Sequence, residues 1–183
     1  MKSCLIIVDM VNGFVHEGML HDEAIGRIIP RQLELIKEAK EQEKQIIFIK
    51  DTHTENSVEF ERFGGPHCLK NTNESKLVEE FLSYEQEAIS IEKNSTCFME
   101  APAFRRLMEQ EPFEEFDICG CCTDICVVNG AIALANYLDE HNRSHTIRVW
   151  EDAIATYNEE NRKEYVEAAL LLMKQQGIII KKK

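Results

Sequence analysis

Short apolar runs alternate with longer stretches of helical spacing along this chain. Residues 4–8 (CLIIV) form an apolar run that stops at Asp9, and 45–49 (QIIFI) form a second that stops at Lys50-Asp51. Over 30–43, Leu33, Leu35, Ile36 and Ala39 recur at the spacing of one helix face. A long polar stretch then precedes a predicted helix over 74–84 and a predicted strand over 87–92. Pro102, whose fixed φ suits a first helical turn, opens a short helix. The pattern continues with a strand at 116–119, a helix at 124–138, a strand at 146–150, a helix at 159–175 and a strand at 178–180. Thr123 or Asp124 is the expected cap of the 124–138 helix. Leu170, Leu171, Leu172 and Met173 are expected to pack the last helix against the core. Strands alternating with helices predict a three-layer α/β/α domain with a six-stranded, mostly parallel sheet and right-handed crossovers.

Length narrows this picture to one domain over 1–183, since 183 residues suffice for one substantial core. A hydrophobic content of 44% with 30% charged residues is that of an ordinary globular chain. The net charge of −12 argues against binding to nucleic acid and to anionic membrane surfaces. The apolar run near the start is too short for a signal-peptide core or a membrane span. Seven cysteines without a secretion signal point to reduced thiols and a cytoplasmic location. After the first strand stands VDMVNGF rather than a glycine-rich phosphate loop, which disfavours dinucleotide binding.

Candidate chemistry collects at the strand ends, where open parallel sheets bind ligands. Asp9 ends the first strand, Asp51 and His53 follow the second, Lys93 follows the third and Cys126 comes just after the fourth. Cys126 falls in the first turn of its helix, where the partial positive charge favours thiolate over thiol. Asp9 can act as a general base toward such a nucleophile, and the Lys93 ammonium can hold thiolate and carboxylate together. Taken singly, an acid at a strand end is a loop or cap residue and a lysine is a solvated side chain; four ends agreeing is the informative observation. In the loop DTHTENSVEFERFGGPH, Asp51, His53 and His67 suit a borderline metal, zinc, iron or manganese, with Glu59 or Glu61 as a further ligand. Cys119 and Cys68 read as packing residues. Cys119, Cys121, Cys122 and Cys126 do not match the paired spacing of a structural zinc site. His16, His21, His141 and His145 are expected to face solvent, as are the acidic run from Glu109 to Glu115 and the terminal lysines.

With these residues assembled, the chain resembles the isochorismatase-like cysteine hydrolases, and within them the nicotinamidase branch. The resemblance runs over almost the whole length, through LIIVDMVNGFV, IKDTH, GPHC, the lysine of IEKNSTCF, and GCCTDICV. It implies the isochorismatase-like hydrolase fold and a catalytic triad at Asp9, Lys93 and Cys126. It also implies a cis peptide between Cys121 and Cys122, with the backbone N–H groups of Cys122 and Cys126 as oxyanion hole. The metal ligands it implies are Asp51, His53 and His67 with Glu59, Glu61 being the fallback, and zinc is the first choice of ion. The implied reaction is hydrolysis of a small amide, nicotinamide to nicotinic acid and ammonia, through a thioester, within NAD salvage. A homo-oligomer is implied by the same analogy. Phe14, Phe63 and Thr96 are the expected substrate contacts. Val11 and Gly13 stand where many relatives have Gln and Asp, and Thr96 stands where an aromatic residue is frequent. Another small amide or carbamoyl compound, or a catalytically silent binding role, therefore remains as an alternative.

Overall fold

The computed structural model describes residues 2–157 and 160–183. Six strands, β1 (Lys2–Val8), β2 (Gln45–Asp51), β3 (Ile89–Lys93), β4 (Phe113–Cys121), β5 (Thr146–Ala155) and β6 (Ile179–Lys181), form one sheet in the order β3-β2-β1-β4-β5-β6. Every pairing is parallel. The longer helices are α1 (Ile29–Glu41), α2 (Glu79–Glu85), α3 (Pro102–Gln110), α4 (Val128–Glu140) and α5 (Arg162–Gln175).

The continuous apolar run of β1 is explained by burial on both faces. Cys4, Ile6 and Val8 point into one core with Phe98, Phe104, Leu134 and Met173. Leu5 and Ile7 point into the other with Leu35, Ile36, Phe48 and Phe81. Each such aliphatic side chain contributes about 1.5–3 kcal/mol on leaving water. The expected three-layer α/β/α architecture is the one found. Among the described residues, no helix is long and apolar enough to cross a membrane.

Departures from the sequence pattern have local causes. The predicted 74–84 helix is cut to α2 because the backbone of its first residues is used elsewhere. The carbonyls of Glu74 and Lys76 accept from the N–H groups of Gly13 and Asn12, both at 2.9 Å. The predicted 159–175 helix starts at a residue outside the described ones and is seen as α5. Leu170 and Met173 are buried as expected, but Leu171 and Leu172 are 69% and 53% exposed, since four consecutive residues cannot share one helix face. Part of the acidic run, Glu114 and Glu115, lies within β4 rather than in a loop.

β1 lies between β2 and β4, so successive crossovers run in opposite directions from it. That reversal opens a crevice at the carboxyl ends of the central strands. The close approach of β4 to β1 depends on Gly120, which pairs with Val8 and has φ +123°. A Cβ there would collide with the Val8 backbone. Gly120→Ala is therefore expected to lower unfolding free energy by about 2 kcal/mol or more, measured by chemical denaturation.

Candidate active site

Three strand ends converge through the pairing register. Asp51 and Lys93 are register partners on β2 and β3, so their side chains leave the sheet side by side. Asp9, immediately beyond β1, has φ 53°, a left-handed conformation that aspartate tolerates. Its N–H is held by the Ile49 carbonyl at 2.9 Å. From β4 the chain passes through the cis peptide Cys121–Cys122 into a π-helical turn, Thr123–Val127, that leads into α4. Neither Thr123 nor Asp124 caps this turn. The Asp124 carboxylate instead accepts a hydrogen bond from the Thr156 hydroxyl, pinning the turn to the end of β5.

The Lys93 Nζ is the meeting point. It lies 2.9 Å from Asp9 Oδ2, 2.7 Å from Asp51 Oδ1 and 3.6 Å from Cys126 Sγ, all buried. Burial pulls the Lys93 ammonium down, but Asp51 and Asp9 outweigh it and hold the group well above its ordinary value. Burial alone would raise both acids. Lys93 and His53 draw Asp51 down to about 2, whereas Asp9 keeps a smaller share of the ammonium, feels the Asp51 charge, and rises to about 7. Cys126 is pushed well above the ordinary thiol value, chiefly by burial, with Lys93 opposing. Burial thus opposes the ionisation that the helix end was expected to favour, and the Lys93 ammonium is the group beside the sulfur that supports it.

Beside this cluster, Asp51, His53 and His67 bring one potential ligand atom each within 4.8 Å of one another. Pairing of His53 with the 67–70 segment explains the approach: the His53 N–H donates to the Cys68 carbonyl and the Lys70 N–H to the His53 carbonyl, both at 2.9 Å. The His67 Nδ1 faces the Gly65 carbonyl at 3.0 Å and donates to it, leaving Nε2 as a lone pair. Burial would lower the His53 imidazole, but the Asp51 carboxylate, with Oδ2 2.9 Å from the buried Nε2, holds it above its ordinary value. One carboxylate and two imidazole nitrogens, all buried and within 4.8 Å of one another, fit a borderline divalent cation. Glu59 is buried, with Oε2 3.9 Å from His53 Nε2 and Oε1 accepting the Thr96 N–H at 3.0 Å. Glu61 is exposed on the same short helix.

Both clusters open on a cavity to which they contribute Cys126, Asp51 and His67. Phe14, Phe63 and Thr96 line it, and so do Leu20, Ile125 and Tyr157, which sequence reasoning did not single out. Ile125 was within reach, being the residue before Cys126. Leu20 and Tyr157 belong to connections whose approach to the site no local pattern announces.

A family model described as Isochorismatase domain matches residues 3–181. A zinc complex of the pyrazinamidase of Pyrococcus horikoshii is 28% identical, covers 100% of both chains and has a TM-score of 0.80. An N-carbamoylsarcosine amidase from Thermoplasma acidophilum is 26% identical over 100% of this chain and 96% of its own, at 0.78. A nicotinamidase from Bacillus subtilis is 26% identical over 98% and 99%, at 0.80. The chain belongs to the isochorismatase-domain family. It is an enzyme, a hydrolase of the class that cleaves amide C–N bonds.

A divalent ion such as zinc should raise the unfolding free energy by up to about 2.7 kcal/mol at a hundredfold excess over the dissociation constant, less whatever the unfolded cysteines and histidines bind. His67→Ala should lose that increment, as read by denaturation with and without the ion.

Proposed function

We propose that this chain is a nicotinamidase, hydrolysing nicotinamide to nicotinic acid and ammonia through a thioester on Cys126. The observation that carries the reading is the Lys93 ammonium, in contact with Asp9, Asp51 and Cys126 at once. Cys126 and Asp9, gathered by it beside the group of Asp51, His53 and His67, support the reading of a nucleophile and a proton acceptor next to a metal site. A divalent ion, zinc first, with iron or manganese as alternatives, would be held by those three residues, with Glu59 beside them. When bound, such an ion supplies a Lewis-acidic point that a pyridine nitrogen can occupy, orienting the ring.

The residues of the chain divide the chemistry among them. Asp9 takes the Cys126 proton as the sulfur attacks the carboxamide carbon, and Lys93 balances the charge that moves between them. Backbone N–H groups of Cys122 and Cys126 receive the oxyanion. The C–N bond breaks as Asp9 returns the proton to the departing nitrogen, releasing ammonia. Water, losing a proton to Asp9, then opens the thioester and restores the thiol. Phe14 and Phe63 offer apolar walls for an aromatic ring, and Thr96 lines the same cavity. Small neutral amides suit this cavity, because its lining includes the carboxylates of Asp51 and Glu59 and neither lysine nor arginine.

A different small amide or carbamoyl compound is the second reading, favoured by the likeness to the carbamoylsarcosine amidase and by Thr96. A panel of neutral and carboxylate-bearing amides separates the two, with faster turnover of the latter counting against nicotinamide. Cys126→Ala should abolish ammonia release from nicotinamide while leaving the fold intact; activity equal to wild type would overturn the thioester route. Because Asp9 must be ionised to accept a proton and titrates at about 7, kcat/KM should fall about tenfold per pH unit below neutrality. A profile flat through that region would remove Asp9 from the role, and Asp9→Asn should cost roughly 10²–10⁴ in rate.

A further inference from the structure

We infer that Asn94 is a positioning residue that sets the tautomer of His53 and thereby the metal affinity of the cluster. The inference rests on the metal reading above and extends it to a residue outside the group of Asp51, His53 and His67. The argument begins with which end of the Asn94 amide faces inward. The Thr54 backbone N–H, which can only donate, lies 3.2 Å from Asn94 Oδ1, so the facing atom is the oxygen. His53 Nδ1 lies 3.0 Å from that same oxygen. An amide oxygen only accepts, so Nδ1 carries the hydrogen and, in the neutral ring, Nε2 carries the lone pair.

Ser57 makes the role of Asn94 necessary. Its Oγ is 3.1 Å from the same Nδ1, and a hydroxyl can donate as readily as accept. With Ser57 alone, His53 could hold its proton on Nε2 and give it to Asp51 Oδ2, 2.9 Å away, spending both groups on each other. With Asn94 accepting from Nδ1, the proton that the ring gives up is the one at Nε2, and a shared cation can take its place between Nε2 and Asp51 Oδ2. His67 achieves the same state through the Gly65 carbonyl, which no side-chain substitution removes. Only the His53 tautomer depends on a replaceable side chain. Asn94 also follows Lys93 directly, so the end of β3 supports both clusters.

The test uses protein carrying ¹⁵N-histidine, with long-range ¹H–¹⁵N correlations recorded at a pH where the imidazole is neutral, and zinc dissociation constants measured in parallel. Wild type should show His53 protonated at Nδ1. Asn94→Leu, which fills the space without accepting, should move the proton toward Nε2 and weaken zinc binding about 10–100-fold. Asn94→Asp keeps an acceptor and should restore both readouts; Asn94→Ala replaces the leucine variant if that one does not fold. A folded leucine or alanine variant with the wild-type tautomer and affinity overturns the inference. Wild type that binds no zinc overturns the metal reading instead, and the tautomer readout still decides the role of Asn94.

Discussion

One buried ammonium holds this site together. Lys93 is surrounded by two carboxylates and a thiol at the ends of three other segments, with no solvent to screen them. Two buried acids so near each other would repel, and neither would ionise readily without a cation between them. The lysine resolves that conflict unevenly. Asp51, closer and also contacted by His53, is held firmly ionised, while Asp9 is left near neutrality. An acid tuned to about 7 can both take and return a proton under ordinary conditions, which is what the proposed two-step chemistry asks of one group. The asymmetry arises from the contacts of Lys93 with two neighbouring strands rather than from anything special to Asp9.

Much of this was legible in the sequence because strand ends are easy to find and open parallel sheets collect ligands there. The apolar runs located β1, β2 and β4 closely, and with them the positions of Asp9, Asp51 and Cys126. What local pattern could not supply was competition for the same atoms. The early part of the 74–84 stretch has helical spacing, yet its carbonyls serve Asn12 and Gly13, so the helix starts later. Asp124 has the chemistry of a cap, but Thr156 claims it from a strand far along the chain. Helix-end electrostatics predicted an acidic thiol; the depth of burial, which no single segment encodes, works against it.

The same distinction applies to the cavity. Phe14, Phe63 and Thr96 were visible through resemblance to a family pattern, and they do line it. Leu20 and Tyr157 were not, because each reaches the cavity from a connecting loop. Glu59 and Glu61 illustrate the opposite limit. Sequence left both open as ligands, and the turn of one short helix buries the first and exposes the second.

The strand order carries a consequence for how the molecule comes into being. Asp9 and Cys126 lie at opposite sides of the reversal in the sheet, and β4 is made long after β1. Contacts of such sequence separation form slowly, because a large loop must close first. Under the proposed chemistry a growing polypeptide is therefore inert until the second half of its sheet has docked, and the capacity to open an amide arrives together with the finished topology.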